Sequence, residues 1–174
     1  MASVIFMRGV NVGGHKTFRP ATLAREMAAL GVANVGAAGT FVVRKAIAAP
    51  ALRAEVGRRV PFETELMICA GRDVLDLVRD EPFPRTPAGK DVRRFVTVMA
   101  KRPRPVPKLP LRKPDREDWQ VQVVAVSGVF ALSLWRRLGR SLVYPNEVVE
   151  KAFGVPATTR SWDTLQKIRA LLEE

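Results

Sequence analysis

The chain has 174 residues, 47% of them hydrophobic, which suits one domain or two small units sharing a core and excludes global disorder. A single cysteine, Cys69, excludes an internal disulfide, and with a single histidine, His15, it excludes the usual Cys/His zinc sites. No apolar run reaches the roughly 20 residues of a membrane span, and the Val4–Met7 stretch is too short for a secretory signal core, so a cytoplasmic protein with no membrane partner is expected.

Taken in chain order, "ASVIFMRGV" reads as a strand rich in β-branched and aromatic residues. "RPATLAREMAALG" reads as a helix. Pro20 suits its first turn, Leu23, Met27 and Leu30 share a face, and Gly31 stops it in the left-handed conformation. "VANVGAAGTFVVRK" gives two short strands hinged near Ala38-Gly39. "PALRAEVGRRV" gives a second helix, "ETELMICA" a strand with Cys69 as a small core hydrophobe, and "RDVLDLVRD" a third helix with Val74, Leu75 and Val78 inward. Strand, helix, hairpin, helix, strand is the split βαβ order.

The second half opens with the strand "RRFVTVMA". The five prolines of "KRPRPVPKLPLRKP" then exclude helix and central strand and favour an extended arm. "QVQVVAVSG" and "VFALSLWRR" form a hairpin turning near Ser127-Gly128, and "PNEVVEKAFG" is a short helix. "SWDTLQKIRALLEE" is the last helix, with Ser161 as N-cap and Asp163 in its first turn. The expected fold is α+β: two ferredoxin-like (split βαβ) subdomains with antiparallel sheets and helices packed on one face. One covers residues 1–89. The other, residues 90–174, is a degraded copy whose Pro-rich basic arm, 101–116, stands where the first helix would be.

The net charge of +12 is unevenly placed. Residues 1–89 carry 12 basic and 8 acidic side chains, 90–113 carry 9 and 1, and 114–174 carry 8 and 8, so +8 of the +12 lies in one short block. A block of one sign makes a field that attracts an anionic partner.

Four stretches, "FMRGVNVGGHKTF", "LGVANV", "GRS" at Gly139–Ser141 and "FGVPATTRSW", resemble the bacterial family catalogued as domain of unknown function 1697. The resemblance covers nearly the whole chain. It implies two ferredoxin-like subdomains and no particular activity. Three departures mark a divergent branch. The polar residues that many members carry across the first hairpin are Ala37, Ala38 and Thr40 here, a lysine is lost at Leu142, and the proline arm replaces a helix.

Three groups of residues are candidates for function. In the "MRGVNVGG" loop, Gly9, Gly13 and Gly14 permit positive φ and close approach of backbone to an anion. Arg8, His15 and Lys16 add charge and Asn11 an amide. The spacing matches neither G-x-G-x-x-G nor the P-loop, and the other reading is a strand-to-helix turn with Arg8 paired to Glu63 or Glu65. The second group is Arg140 and Ser141 with Thr158, Thr159, Arg160 and Trp162: two guanidiniums suited to bidentate anion contacts and an indole able to stack, or else caps, an ion pair and a core tryptophan. The third is the arm, where Lys101, Arg102, Arg104, Lys108, Arg112 and Lys113 carry six cations with no acid among them.

No nucleophile elbow is present; His15 is the catalytic candidate, with no acidic neighbour in sequence, while Glu63 and Glu65 share a strand face as acid/base partners or, by their neighbours Thr64 and Leu66, as a solvated face. Of the strand aromatics Phe6, Phe41 and Phe95, none lies in an RNP-like run. The expectation is a binding protein for an anionic ligand, nucleic acid or a phosphorylated small molecule, with no cofactor and no metal. An enzyme using His15 on a small anionic substrate, and a structural protein pairing sheet edges as a homodimer, stay open, as does monomer against homodimer.

Overall fold

The computed structural model describes residues 1–84, 89 and 91–174. These form two compact units, Met1–Arg79 with Thr164–Glu174, and Asp80–Asp163. The boundary expected between residues 89 and 90 falls beside residues 85–88 and 90, which lie outside the described residues, and the last helix groups with the first unit.

In the first unit the elements are β1 (Ser3–Met7), α1 (Pro20–Glu26), β2 (Val32–Asn34), β3 (Thr40–Val43), α2 (Ala49–Gly57), β4 (Leu66–Ala70) and α3 (Gly71–Asp80). Gly31, at φ 64, stops the turn that follows α1, as a residue without Cβ can. The strands form an antiparallel sheet in the order β2-β3-β1-β4, with Ile5 opposite both Phe41 and Ile68. Ile5, Met7, Phe41 and Val43 pack with Leu23 and Met27 from the α1 region and Leu52 and Val56 of α2. The alternate residues Val4, Phe6 and Val42 are also fully buried, so this sheet is covered on both faces and not, as expected, on one. The continuous apolar runs "SVIFM" and "TFVV" are what a two-sided burial requires.

The C-terminal helix, α5 (Trp162–Glu173), lies beside α3. The Gly71 N–H donates to Ala2 O at 2.8 Å, a Cβ on Gly71 would stand 3.0 Å from Leu172 Cδ2, and Arg79 pairs with Glu173 at 3.2 Å.

The second unit holds β5 (Val92–Met99), β6 (Leu111–Lys113), β7 (Val121–Ser127), β8 (Phe130–Arg136), α4 (Pro145–Phe153) and β9 (Ala157–Ser161), in an antiparallel sheet of order β6-β7-β8-β5-β9. The proline stretch contributes only β6, at the sheet edge, where missing N–H donors are tolerated. Met99, Val121, Val123, Ala131 and Ala157 pack against Val148, Val149 and Phe153 of α4. "ATTRS", whose Thr158 and Thr159 the sequence leaves open to a capping role and whose Ser161 to an N-cap role, is the strand β9. It pairs with β5 from Phe95↔Ser161 to Met99↔Ala157, and α5 starts at the next residue, so no turn signal separates the two.

Gly39 has φ +75, and a Cβ there would stand 2.7 Å from Val10 Cγ2 and 2.8 Å from Met7 Cβ. Gly39→Ala is expected to cost about 3 kcal/mol through clash and left-handed strain together. Gly36→Ala, at φ +72 with nothing within 4 Å, should cost about 1 kcal/mol. Urea unfolding compares them, and equal losses would mean that Met7 and Val10 give way freely.

Burial, with a smaller contribution from the Asp73 charge, pushes the Cys69 thiol from 9.0 up to about 12. Above pH 9 the unfolded chain loses this proton while the native state keeps it. The thiol's contribution is therefore intact below pH 9 and is lost as pH climbs toward 12. Between pH 9 and 10.5 the reduced wild type should lose about 2 kcal/mol more than Cys69→Ala, measured by denaturant unfolding at each pH. Parallel losses would overturn the assignment.

Candidate functional site

The loop that leaves β1 is rich in left-handed residues: Gly9, Asn11, Gly13, Gly14 and Lys16 have φ of 65, 54, 57, 77 and 48. Asn11 organises it. Its Nδ2 donates to Ala37 O at 2.8 Å, its Oδ1 accepts from the Phe18 N–H at 2.9 Å, and its backbone N–H donates to Lys16 O at 3.2 Å. The His15 N–H donates to Val12 O at 3.0 Å, which closes a small hairpin with Gly13-Gly14 at its tip. Arg8 is engaged in the same unit. Its N–H donates to Glu65 O at 3.0 Å, its carbonyl accepts from the Thr64 hydroxyl at 2.6 Å, and its guanidinium lies 3.7 Å from the Glu65 carboxylate.

Arg8 and Asn11 thus brace the loop, while Gly13, Gly14, His15 and Lys16 stand exposed at its tip. Residues Thr17–Arg19 separate this tip from α1, which is seven residues long and begins with a proline lacking an N–H, so helix polarity adds little here. Among the described residues no side chain hydrogen-bonds the His15 imidazole, and no group of three or more His, Cys, Asp and Glu could hold a metal ion.

The second candidate group lies in the other unit, and the two-residue period of β9 distributes it over both faces of the strand. Thr158 and Arg160 share one face. Arg160 is 6% exposed, and its Nη1 donates to Thr158 Oγ1 at 2.7 Å and Thr159 O at 2.9 Å. Burial lowers its guanidinium to about 10, which leaves it charged at neutral pH. Thr159 faces the other way, donating to Asn146 Oδ1 at 3.0 Å and sharing a 2.8 Å hydrogen bond with Thr97. Trp162 is buried edge-on against Phe83, centroids 5.0 Å apart. Arg140 and Ser141 are exposed in the segment between β8 and α4.

The arm presents its charges outward. Lys101, Arg102, Arg104, Lys108 and Lys113 are exposed, and among the described residues none has a carboxylate partner. Arg112, half-buried on β6, lies 3.6 Å from Glu117, and Arg116 pairs with Asp118, so the acids that follow the arm are matched locally. The Arg102 guanidinium lies over the β7–β8 turn, 4.0 Å from where a Cβ on Gly128 would stand.

Two features of the second unit lay outside the sequence reading. A cleft of about 480 Å³ is lined by Arg93, Arg94, Phe95, Ser161, Trp162 and Asp163. Tyr144, 48% exposed, stacks on Trp135. The two-residue period of "VRRF" on a strand is the signal that separates Arg93 and Phe95 from Arg94. Nothing in sequence ties Tyr144 to Trp135. Of Phe6, Phe41 and Phe95, the first two are fully buried and Phe95 lines the cleft.

An α+β chain of two antiparallel-sheet units with a basic, proline-rich arm is the class these features define. Residues 1–126 match the family described as protein of unknown function, DUF1697, and the chain belongs to it. The match takes in the glycine loop and the arm and ends before Gly139. Among solved structures the chain is similar to the conserved bacterial protein SP0830 from Streptococcus pneumoniae, at 16% identity and a TM-score of 0.58, over 99% of this chain and 98% of that one. At that identity the likeness concerns fold alone. No curated protein matches the chain. No helix among the described residues is long and apolar enough to cross a membrane.

Asn11→Gly keeps the backbone conformation and deletes both side-chain bonds, so it should cost about 1–2 kcal/mol. Asn11→Ala should cost about 1 kcal/mol more, because it also forces φ 54 on a residue with a Cβ. Thermal or urea unfolding ranks the three proteins, and a wild-type-like Asn11→Gly would mean that the side chain braces nothing.

Proposed function

We propose that this protein binds a polyanion, nucleic acid in particular, through the basic arm of its second unit. One observation carries the reading: Lys101, Arg102, Arg104, Lys108 and Lys113 are exposed and lack carboxylate partners among the described residues. Unmatched cations on one short stretch can neutralise backbone phosphates and so release the cations condensed on the nucleic acid, with a gain in entropy. The prolines limit the freedom the arm must lose on binding. The tip of the glycine loop, with Gly13, Gly14, His15 and Lys16, is a second, smaller contact for an anion in this reading.

Each unit, in the same proposal, is a ferredoxin-like fold. In support, the first unit joins β1-α1-β2-β3-α2-β4 in the sheet order β2-β3-β1-β4. In the second, β7-β8-β5-β9 stand in the same relation, with the arm in place of the first helix and β6 added at the edge. Sheets of this connectivity host many functions, so the charge placement and not the fold supports the reading.

The test is a salt series on duplex DNA and on single strands. Replacing Lys101, Arg102, Arg104 and Lys108 by alanine should reduce the log–log salt slope by about 3–4 on duplex and about 3 on single strands. An unchanged slope, or no binding by the wild type at low salt, overturns the proposal.

A further inference from the structure

We propose that the second unit also carries a base-stacking platform, Tyr144 on Trp135, that makes single-stranded nucleic acid the preferred partner; this rests on the polyanion reading above. The register of the sheet lines up one row of residues. Lys113 lies opposite Val121, Val121 opposite Trp135, and Trp135 opposite Arg93. Residues opposite one another in a sheet project to the same face. The row therefore has a cation at each end and an indole between, over three strand spacings, about 14 Å.

Tyr144 lies nearly parallel to the Trp135 indole, at 5° and a centroid separation of 6.4 Å, and is 48% exposed. Phe95 meets the same indole edge-on at 6.2 Å. The exposed Arg137 and Arg140 both precede Tyr144 in the same β8–α4 segment, and neither has a carboxylate partner among the described residues. The nearby acids are Asp163, in the cleft beside Arg93, and Glu147, in the first turn of α4.

The platform is held in place before any partner arrives. Trp135 Nε1 donates to Val143 O at 2.8 Å, and the Val143 N–H donates to Gln120 Oε1 at 3.1 Å. Gln120 is 7% exposed, its own N–H donates to Lys113 O at 2.8 Å, and its carbonyl accepts from the Arg136 N–H at 2.9 Å. One buried amide thus fixes the end of the arm and the segment that presents Tyr144. A base has a π-face whatever its identity, and stacking on an exposed aromatic is tolerant of sequence. Duplex DNA shows only base edges in its grooves, so it reaches the cations and not the ring.

The experiment is a fluorescence titration with four probes: 20-nucleotide oligothymidylate, 20-nucleotide oligouridylate, a DNA strand of abasic sugars of that length, and a 20-bp duplex. The proteins are the wild type, Tyr144→Ala, Tyr144→Phe and the arm variant. Tyr144→Ala should weaken both intact strands roughly tenfold or more, with the salt slope and duplex affinity unchanged. Tyr144→Phe should stay within about twofold of the wild type. The abasic strand should bind the wild type as weakly as the intact strand binds Tyr144→Ala. If the abasic strand binds the wild type as tightly as intact DNA, the platform is overturned while the arm's salt slope stands, and this comparison needs no variant to fold. If Tyr144→Ala binds intact strands like the wild type, the platform is overturned equally. Loss of all binding at low salt overturns the arm reading and the platform with it.

Discussion

The second unit depends on the register of one strand. β5 lies between β8 and β9 and pairs with both along most of its length. In this register Val96 and Val98 are fully buried on one face, and Thr97 and Met99 are buried on the other. A slip of one residue turns every side chain to the opposite face. It would exchange the environments of Arg93 and Arg94 and move Phe95 away from Trp135. The same register carries Thr159 to Thr97 and holds Arg160 beside Val96. The cleft, the aromatic contacts and the two faces of β9 all follow from this pairing.

Most of the first unit was legible because its signals are local. Apolar runs mark β1 and β3, Pro20 and Gly31 bracket the first helix and its following turn, and Gly39 supplies the hinge between strands. The continuous apolarity of "SVIFM" already spoke for burial on both faces, whereas the strand–helix order alone suggested one. In the second unit β9 is hard to read from sequence because "ATTRS" is short, mostly polar and fused to a helix without a glycine or proline between them. Its role is set by a partner some sixty residues earlier, Phe95 opposite Ser161, which no local pattern records. The Trp135–Tyr144 stack is hidden for the same reason: it depends on where the Gln120 amide pins the backbone at Val143.

The two kinds of arginine in this chain illustrate how solvent sorts charge. Arg160 sits out of water, its guanidinium held by a threonine hydroxyl and a carbonyl, and its charge serves packing on β9. Five of the arm's cations, Lys101, Arg102, Arg104, Lys108 and Lys113, stay in water, matched by no described carboxylate. Composition counts both alike. Only burial separates a charge committed to the fold from one still available to a partner.

The first unit is not contiguous in the chain. Residues 1–79 supply its sheet and three helices, but Thr164–Glu174 completes it only after residues 80–163 have been made. During synthesis the seat beside Gly71, later filled by Leu172, stays open while the whole second unit emerges, and the contact joins residues a hundred positions apart. The order of appearance at the ribosome therefore differs from the order of completion. The unit whose residues come entirely from one stretch can close first, and the one begun earliest closes last.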